Sequence, residues 1–236
     1  MPRVQVLGYN VDVLTMAQAV ARCQALLARR QPAYVVTLNP EIVVQAQADR
    51  EVHQAILDAD LVTADGVGIL WAAARSGHKL PERVSGVDLV MTLLAKGGER
   101  LRVYFLGGKP GVAQAAGERC AERHRTVVAG YHHGYFSDDA PVVADIVRCA
   151  PDLLLVGLGP HQEKWIHRHL AELQVPLSIG AGGTVDVLSG QAKLMPEWSR
   201  QLGLEWLLRV GSQPKRWRRF PRLLAFVRLV LWQRRV

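Results

Sequence analysis

The sequence predicts an α/β fold with a largely parallel sheet and helices on both of its faces. Short runs of β-branched and aliphatic residues alternate with segments of helical length and periodicity. The runs are apolar throughout, which is typical of strands that are buried on both faces of a parallel sheet. The predicted strands span 33–40, 61–66, 102–108, 126–131, 152–159 and 176–183.

Helical periodicity fills the intervals between these strands. The predicted helices span 41–58, 67–76, 86–97, 110–124, 139–149 and 161–173. The opening residues predict a hairpin around Gly8, Tyr9 and Asn10. Thr15 then predicts the N-cap of a first helix that runs to Arg30.

The composition is that of an ordinary folded domain. Apolar residues make up 49% of the chain and charged residues 21%, which excludes a disordered protein. No uncharged run approaches the roughly 18 residues of a membrane-spanning helix, and the first residues lack the apolar stretch of a signal peptide. We therefore expect a cytoplasmic protein. The three cysteines lack metal-ligand spacing and are expected to be reduced thiols.

The excess of positive charge lies at one end of the chain. The net charge is +8, and residues 196–236 hold 10 Lys and Arg against only Glu197 and Glu205. The preceding residues are balanced in charge. We therefore expect a neutral core over 1–195 and a basic appendage over 196–236. Such an appendage attracts phosphate groups, on a lipid, a nucleotide or a nucleic acid.

Polar residues and glycines follow the predicted strands at their carboxyl ends, where α/β sheets bind ligands. Thr37 and Asn39 end one strand, and Asp65 ends the next. Glycine-rich turns end three others, at 107–111, 157–159 and 180–183. Glycine turns at helix N-termini suit a diphosphate, so a phosphorylated ligand is predicted. Each turn alone has a plainer interpretation as a cap or a tight turn, since none completes a P-loop or dinucleotide-binding motif.

Asp65 is the candidate general base, because a carboxylate at a strand end could take a proton from an acceptor hydroxyl. No serine or cysteine lies in a nucleophile motif. Histidine pairs and one Asp-x-Asp sequence are the candidate metal ligands. The histidines lack a cysteine or carboxylate at a suitable spacing, and the Asp-x-Asp sequence lies between a helix and a strand, where acidic residues usually serve turns. These candidates are His132, His133, His167, His169, Asp58 and Asp60. We therefore expect neither a metal nor a cofactor.

The segment after Pro221 is amphipathic, with Leu224, Val227 and Leu231 on one stripe. One interpretation is a C-terminal helix that packs on the core and leaves a basic face in solvent. The other is a helix on an anionic membrane surface, with aromatic residues at headgroup depth. Those aromatic residues are Trp217, Phe220 and Trp232. Nucleic acid is the least favoured partner, because the core shows no recognition fold and the segment has aliphatic residues to bury.

Taken together, the motifs resemble those of the WecG/TagA/CpsF glycosyltransferase family of bacterial cell-envelope polymer synthesis. Their order and spacing over nearly the whole chain are far more specific than any one of them. In chain order they are TLNPEIVVQA, TADGVGIL, RVSGVDL, FLGGKPG, GLGPHQEKWI, IGAGGTVDVLSG, GLEWLLR and QPKRWRR.

The resemblance implies a Rossmann-like transferase core with a C-terminal appendage. It implies inverting, metal-independent transfer from a UDP-sugar to a polyprenyl-diphosphate-linked N-acetylglucosamine, by a protein peripheral to the inner face of the cell membrane. N-acetylmannosamine is the expected sugar and β-1,4 the expected linkage, in teichoic acid or polysaccharide synthesis. The alternatives are a UDP-uronic acid or UDP-hexose donor, or a membrane-tethered nucleotide-binding module without turnover. A homo-oligomer is also left open.

The resemblance also implies site residues by their position in the motifs. Asp65, Thr37 and Gln162 are the expected catalytic residues, with Asp65 as the base. The expected substrate-binding residues are Asn39, Arg83, Gly107, Gly108, Gly159, Gly182, Asp186, Arg209, Arg216 and Arg219. Guanidinium groups can offset the charge that grows on UDP where no metal does so. The chain departs from the family's usual motifs at Ser85, at His161 and over 193–196, which leaves the reaction type intact and the donor sugar open.

Overall fold

A β-hairpin opens the chain in the computed structural model, which describes residues 2–193 and 220–232. Strand β1 (Arg3–Val6) pairs antiparallel with β2 (Tyr9–Asp12). Leu7 and Gly8 form the turn, and both have a positive φ. The predicted hairpin is confirmed, but its turn lies earlier than expected, because Tyr9 already belongs to the second strand.

The core is a six-stranded sheet in which all neighbouring strands are parallel. Its strands are β3 (Tyr34–Leu38), β4 (Leu61–Ala64), β5 (Arg102–Gly107), β6 (Val127–His132), β7 (Leu153–Gly157) and β8 (Leu177–Gly180). Their spatial order is β4-β3-β8-β7-β5-β6. The predicted α/β class with a parallel sheet is confirmed.

Helices cover both faces of this sheet. In chain order they are α1 (Met16–Arg29), α2 (Pro40–Ala48), α3 (Arg50–Leu57), α4 (Val67–Arg75), α5 (Gly86–Gly97), α6 (Val112–His124), α7 (Asp139–Cys149), α8 (Gln162–Leu173), α9 (Gly182–Leu188) and α10 (Phe220–Trp232). The buried residues of α1, α5, α6 and α9 form one apolar cluster. Those of α2, α3, α4, α7, α8 and α10 form the other.

One predicted helix is two helices in the structure. The segment predicted as a single helix over 41–58 breaks at Asp49, which ends α2 and caps α3. The Asp49 carboxylate accepts hydrogen bonds from the backbone N–H groups of Glu51 and Val52, at 3.0 and 3.3 Å. An aspartate that caps the next turn competes with continuation of the helix, which explains the break.

From β3 to β6 across the sheet, neighbouring strands lead into helices on opposite faces, and two of these strand pairs adjoin the predicted site residues. From β5 the chain enters α6 on one face, and from β7 it enters α8 on the other. Likewise β3 leads into α2 and β8 into α9, again on opposite faces. A crevice opens at the carboxyl ends of the strands where the connections diverge in this way. These two crevices place the candidate site.

The opposite, amino end of the sheet is reached through left-handed turns. Helices α1, α6, α7 and α8 each end on a residue with a φ between 44° and 55°, and a strand follows each of them. These residues are Arg30, Arg125, Ala150 and Gln174. A left-handed residue is a common helix terminator, although glycine usually occupies it.

The C-terminal helix α10 packs on the core. Phe226 and Val230 are almost completely buried, and the helix contacts α2. The Phe226 ring lies so close to Gly68 of α4 that a Cβ there would be 3.1 Å from it. Arg75 Nε donates to the Val230 carbonyl oxygen at 3.2 Å. The interpretation of a helix docked on the core is confirmed, and no helix in the described ranges is long and apolar enough to cross a bilayer.

The docked face of α10 is not the predicted stripe. Leu224 and Leu231 lie about 160° and 140° around the helix from Phe226, at roughly 100° per residue. They are 55% and 52% exposed, and Trp232 is 75% exposed. Helix α10 therefore has two apolar faces, one against the core and one in solvent.

Candidate active site

Asp65 lies where β4 ends, at the carboxyl edge of the sheet. Its backbone N–H donates to the Leu38 carbonyl oxygen of β3 at 2.8 Å, which extends the ladder by one residue. Gly66 follows with a φ of +100° and turns the chain into α4. One carboxylate oxygen, Oδ2, accepts from the Gly86 N–H at 3.1 Å. The carboxylate is thus fixed by the backbone and still partly exposed, as a base that meets an external hydroxyl must be.

Thr37 meets Asp65 at the same glycine. Its side chain is buried at the end of β3, and a Cβ on Gly86 would lie 3.0 Å from its Oγ1. A Cβ at residue 86 would therefore displace Thr37 by a few tenths of an ångström, beside the N–H that holds Asp65. The structure brings these two predicted catalytic residues together.

Asn39 serves as the N-cap of α2. Its Oδ1 accepts from the backbone N–H groups of Glu41 and Ile42, at 3.0 and 3.1 Å. The oxygen of the Asn39 side chain therefore acts as a helix cap, which is the plainer of the two interpretations given above. The amide nitrogen lies 3.5 Å from the Thr37 carbonyl, a weak hydrogen bond that leaves it able to donate to a ligand.

Arg83 lies in the same region as Asp65 and Thr37 because the backbone of the following residue, Val84, pairs with the end of β4. The N–H of Val84 donates to the Ala64 carbonyl at 2.9 Å, which runs this segment along the end of β4. The Arg83 guanidinium is mostly buried and lies 4.0 Å from the Asp88 carboxylate. Ser85 caps α5 through its Oγ, which accepts from the Asp88 N–H at 3.5 Å, so the departure from the family's threonine keeps the cap.

Glycines build the crevice between β5 and β7. Gly107 has a φ of +133°, and a Cβ there would overlap the Gly157 carbonyl group. Gly108 has a φ of +68° and donates its N–H to the same carbonyl at 3.3 Å. Gly159 has a φ of +59°, and a Cβ there would meet no atom within 4 Å. The N-termini of α6 and α8 follow these turns, so the crevice offers positive helix ends to an anion.

Gln162 joins this crevice to β8. Its Oε1 accepts from the Gly182 N–H at 3.1 Å, and its Nε2 donates to Glu163 Oε1 at 2.8 Å. Gly182 therefore has its backbone N–H bonded to a side chain. Glu163 is only 2% exposed, and burial raises its pKa to about 7. Glu163 is not among the predicted site residues, although its position three residues before the buried Ile166 is a signal that it faces the core.

The remaining predicted site residues lie elsewhere or beyond the described ranges. Asp186 lies on α9, where its carbonyl accepts from the Ser189 hydroxyl at 2.9 Å. The predicted tail residues Arg209, Arg216, Arg219 and Trp217 lie outside the described residues, as do 194–196 and the side chain of Phe220.

The candidate metal ligands have protein partners. His167 bonds to Asp58 at 2.9 Å and His169 to Asp139 at 3.1 Å. His132 bonds to the backbone of its neighbour, and Asp60 accepts from the Tyr34 N–H at 3.1 Å. Over 2–193 and 220–232, no group of three or more His, Cys, Asp or Glu side chains is arranged to hold a metal ion.

Known proteins resemble this chain over nearly its whole length. The model of the Glycosyl transferase WecG/TagA/CpsF family matches residues 4–236. The chain belongs to this glycosyltransferase family. A relative from Bacillus subtilis strain 168, named N-acetylglucosaminyldiphosphoundecaprenol N-acetyl-beta-D-mannosaminyltransferase, is 33% identical over 84% of this chain and 79% of its own length. A Staphylococcus aureus MW2 relative of the same name is 32% identical over 94% and 88%.

A glycosyltransferase needs two chemical functions, and the two crevices contain groups that suit them. A glycosyltransferase must remove a proton from an acceptor hydroxyl, for which Asp65 has suitable geometry. It must also stabilise the negative charge of a leaving group, for which the helix N-termini beyond Gly108 and Gly159 are suited.

Proposed function

We propose that this chain transfers N-acetylmannosamine from its UDP conjugate to N-acetylglucosamine on undecaprenyl diphosphate. The transfer forms a β-1,4 linkage with inversion. The observation that carries the proposal is the Asp65 carboxylate, held by Gly86 beside Thr37 in a chain of this glycosyltransferase family. The names of two relatives supply the sugar and the acceptor.

The reaction proceeds as a single displacement. Asp65 takes the proton of the acceptor hydroxyl while that oxygen bonds to the anomeric carbon of the donor. The bond from that carbon to the diphosphate oxygen breaks, and UDP leaves with the electron pair. The N-termini of α6 and α8 stabilise the growing negative charge, together with Arg83 and the tail residues Arg209, Arg216 and Arg219. No metal is needed in this scheme.

Turnover assays test the proposal directly. UDP release is measured with UDP-N-acetylmannosamine, UDP-uronic acids and UDP-hexoses, an undecaprenyl-diphosphate-N-acetylglucosamine acceptor, and EDTA. We expect acceptor-dependent release with the N-acetylmannosamine donor, reduced about 10²- to 10⁴-fold in Asp65→Asn. Asp138→Asn is the matched control, because asparagine also caps a helix, as the aspartate does at α7.

The outcomes separate the alternatives. Turnover with a uronic acid or hexose donor alone would replace the donor sugar and keep the reaction. UDP binding without turnover on any donor would favour a nucleotide-binding module. Loss of activity in EDTA, restored by a divalent cation, would overturn the metal-independent mechanism.

The second apolar face of α10 supports docking on an anionic membrane surface at the inner face of the cell membrane. Leu224, Leu231 and Trp232 are exposed there, and the Arg228 guanidinium carbon lies 4.9 Å from the centre of the Trp232 ring. Interfacial helices combine exposed apolar and aromatic residues with arginines in this way. A lipid-linked acceptor gives such docking a purpose, since it brings the site to the headgroups.

Vesicle sedimentation tests the docking. The double variant Leu224→Ser, Leu231→Ser should lose most of its binding to phosphatidylglycerol vesicles and keep its melting temperature, because both side chains lie in solvent. Val147→Ser is the matched control, since Val147 is 43% exposed on α7. Equal binding by wild type and double variant would contradict the docking.

A further inference from the structure

Glu163 is a buried carboxyl group for which the transfer reaction has so far given no role. The other deeply buried carboxylates of the described residues pair with arginines, Asp12 with Arg3 and Asp152 with Arg30. Glu163 has no such cation within the described part of the chain, and its hydrogen-bonded side-chain partner is Gln162. A buried carboxyl without a cation destabilises a fold, so its presence calls for another reason.

The bond to Glu163 fixes which way the Gln162 amide faces. The Gln162 oxygen accepts from the Gly182 N–H, and its nitrogen donates to Glu163. A rotated amide would place its nitrogen against the Gly182 N–H donor, which loses that bond in either protonation state of Glu163, and its oxygen against the ionised carboxylate would lose the second bond as well. The amide nitrogen has two hydrogens, and the second has no acceptor among the described residues.

The end of β8 is shaped to admit this pair. A Cβ on Gly180 would lie 2.9 Å from Gln162 Nε2 and 3.0 Å from Glu163 Oε1. A Cβ on Gly182 would lie 3.0 Å from Gln162 Oε1. The glycines of this turn therefore make room for two side chains. That is a different use from the diphosphate turn that the sequence suggested.

We propose that Glu163 is a positioning residue that orients Gln162, so that the second Nε2 hydrogen of Gln162 donates to an oxygen of the bound donor. The proposal rests on the proposed function, because Gln162 must lie at the donor. Glu163 itself touches no substrate. The oxygen that Gln162 meets belongs to the sugar or to the diphosphate.

A double-mutant cycle on the full chain tests this role, with Glu163→Leu, Gln162→Leu and the double variant. We expect Glu163→Leu to lower kcat/KM for UDP-N-acetylmannosamine about 10- to 100-fold, the usual effect of freeing one buried polar group. Its melting temperature should change little, because removing a buried carboxyl without a cation offsets the lost hydrogen bond of the Gln162 amide. The double variant should be no worse than Gln162→Leu alone, because the two residues act as a unit.

Two further variants separate positioning from structure. Glu163→Gln keeps an oxygen acceptor for the Gln162 amide and should recover most of the loss. Glu172→Leu, on an exposed residue of the same helix, controls for the substitution and should change neither activity nor melting temperature. Parallel losses of stability and activity in Glu163→Leu, or losses that multiply in the double variant, would overturn the proposal.

Donor affinity keeps the two proposals distinguishable. Calorimetric titration with UDP-N-acetylmannosamine measures the Kd of this donor for each variant of the double-mutant cycle, without any turnover. If wild type binds this donor and transfers nothing to the acceptor, the proposed function fails while the cycle in Kd still decides the role of Glu163. If Glu163→Leu binds the donor as wild type does and also retains its kcat, the positioning role fails while the proposed function stands.

Discussion

The two crevices of the carboxyl edge are built from different parts of the chain. At the crevice beside β3 the site consists of side chains, Thr37 on β3 and Asp65 just after β4, which backbone groups hold in place. At β5 and β7 it consists of backbone, because Gly107 allows no side chain beside Gly157 and Gly108 allows none beside Val112. Proton transfer needs a titratable group, whereas an anion is bound well by helix N-termini and bare turns. The composition of each half thus matches the chemistry proposed for it.

Gly107→Ala should have the largest effect, on the crevice between β5 and β7. Its new methyl group would overlap the Gly157 carbonyl at a φ of +133°, which should lower the free energy of unfolding by roughly 3–5 kcal/mol. Urea denaturation measures this loss. Gly183→Ala is the control, since a Cβ there meets no atom within 4 Å and no left-handed φ is involved. Equal urea midpoints for Gly107→Ala and wild type would show that the two turns do not rely on close backbone contact.

Glu163 should make the stability of the fold depend on pH. Burial raises its pKa from 4.5 to about 7, so between these values the folded chain holds a proton that the unfolded chain releases. The binding of this proton therefore adds roughly 3 kcal/mol to the free energy of unfolding below pH 4.5, and this gain is lost as the pH rises to about 7. Comparing the free energy of unfolding of wild type and Glu163→Gln from pH 4.5 to 8 isolates it. Parallel curves would contradict a raised pKa.

Gly86→Ala should damage the side-chain half without unfolding it. A methyl group there would lie 3.0–3.2 Å from three atoms of Thr37 and would shift the N–H that Asp65 accepts from. We expect kcat to fall about 10- to 100-fold, as small misplacements of reacting groups do. Gly117→Ala is the control, because its methyl would meet Val128 at 3.2 Å away from the site. A similar kcat for both variants would show that the Gly86 contact is unrelated to turnover.

Gly159→Ala should have the smallest effect and the most selective one. Its Cβ meets only open space, so the fold should lose about 1 kcal/mol for the left-handed φ of +59°. The methyl group would enter the crevice and should raise the Kd for UDP about tenfold, a loss of about 1.4 kcal/mol. Gly77→Ala has a similar φ of +81° and open surroundings outside the site. If both variants bind UDP equally, the nucleotide does not lie at Gly159.

The sequence predicted the elements better than their arrangement. Apolar runs and helical periodicity are local, so the strands and most helices were predictable from them. The insertion of β8 between β3 and β7 depends on packing between distant segments, which no local pattern records. The break at Asp49 was readable in principle, because an aspartate before a new helical turn is a cap.

The candidate site shows the same division. Thr37, Asp65 and the glycine turns were predicted from strand ends and motifs, and the structure brings Thr37 and Asp65 together. Gln162 was also predicted from its motif, but its pairing with Glu163 was not, since that arrangement depends on the distant Gly180 and Gly182. Nor could periodicity tell that α10 docks through Phe226, because a helix with apolar residues on two faces does not show which face is buried.

The left-handed turns at the amino end of the sheet have a consequence for engineering. At the candidate site the positive φ of Gly107 causes no strain, because glycine has no side chain. At the other end of the sheet, Ala150 and Gln174 end α7 and α8 with φ values of 44° and 50° although both have side chains. Each such residue holds about 1 kcal/mol of strain that a glycine would release. Substitution of these residues by glycine should therefore raise thermal stability at the amino end of the sheet, which lies opposite the candidate site.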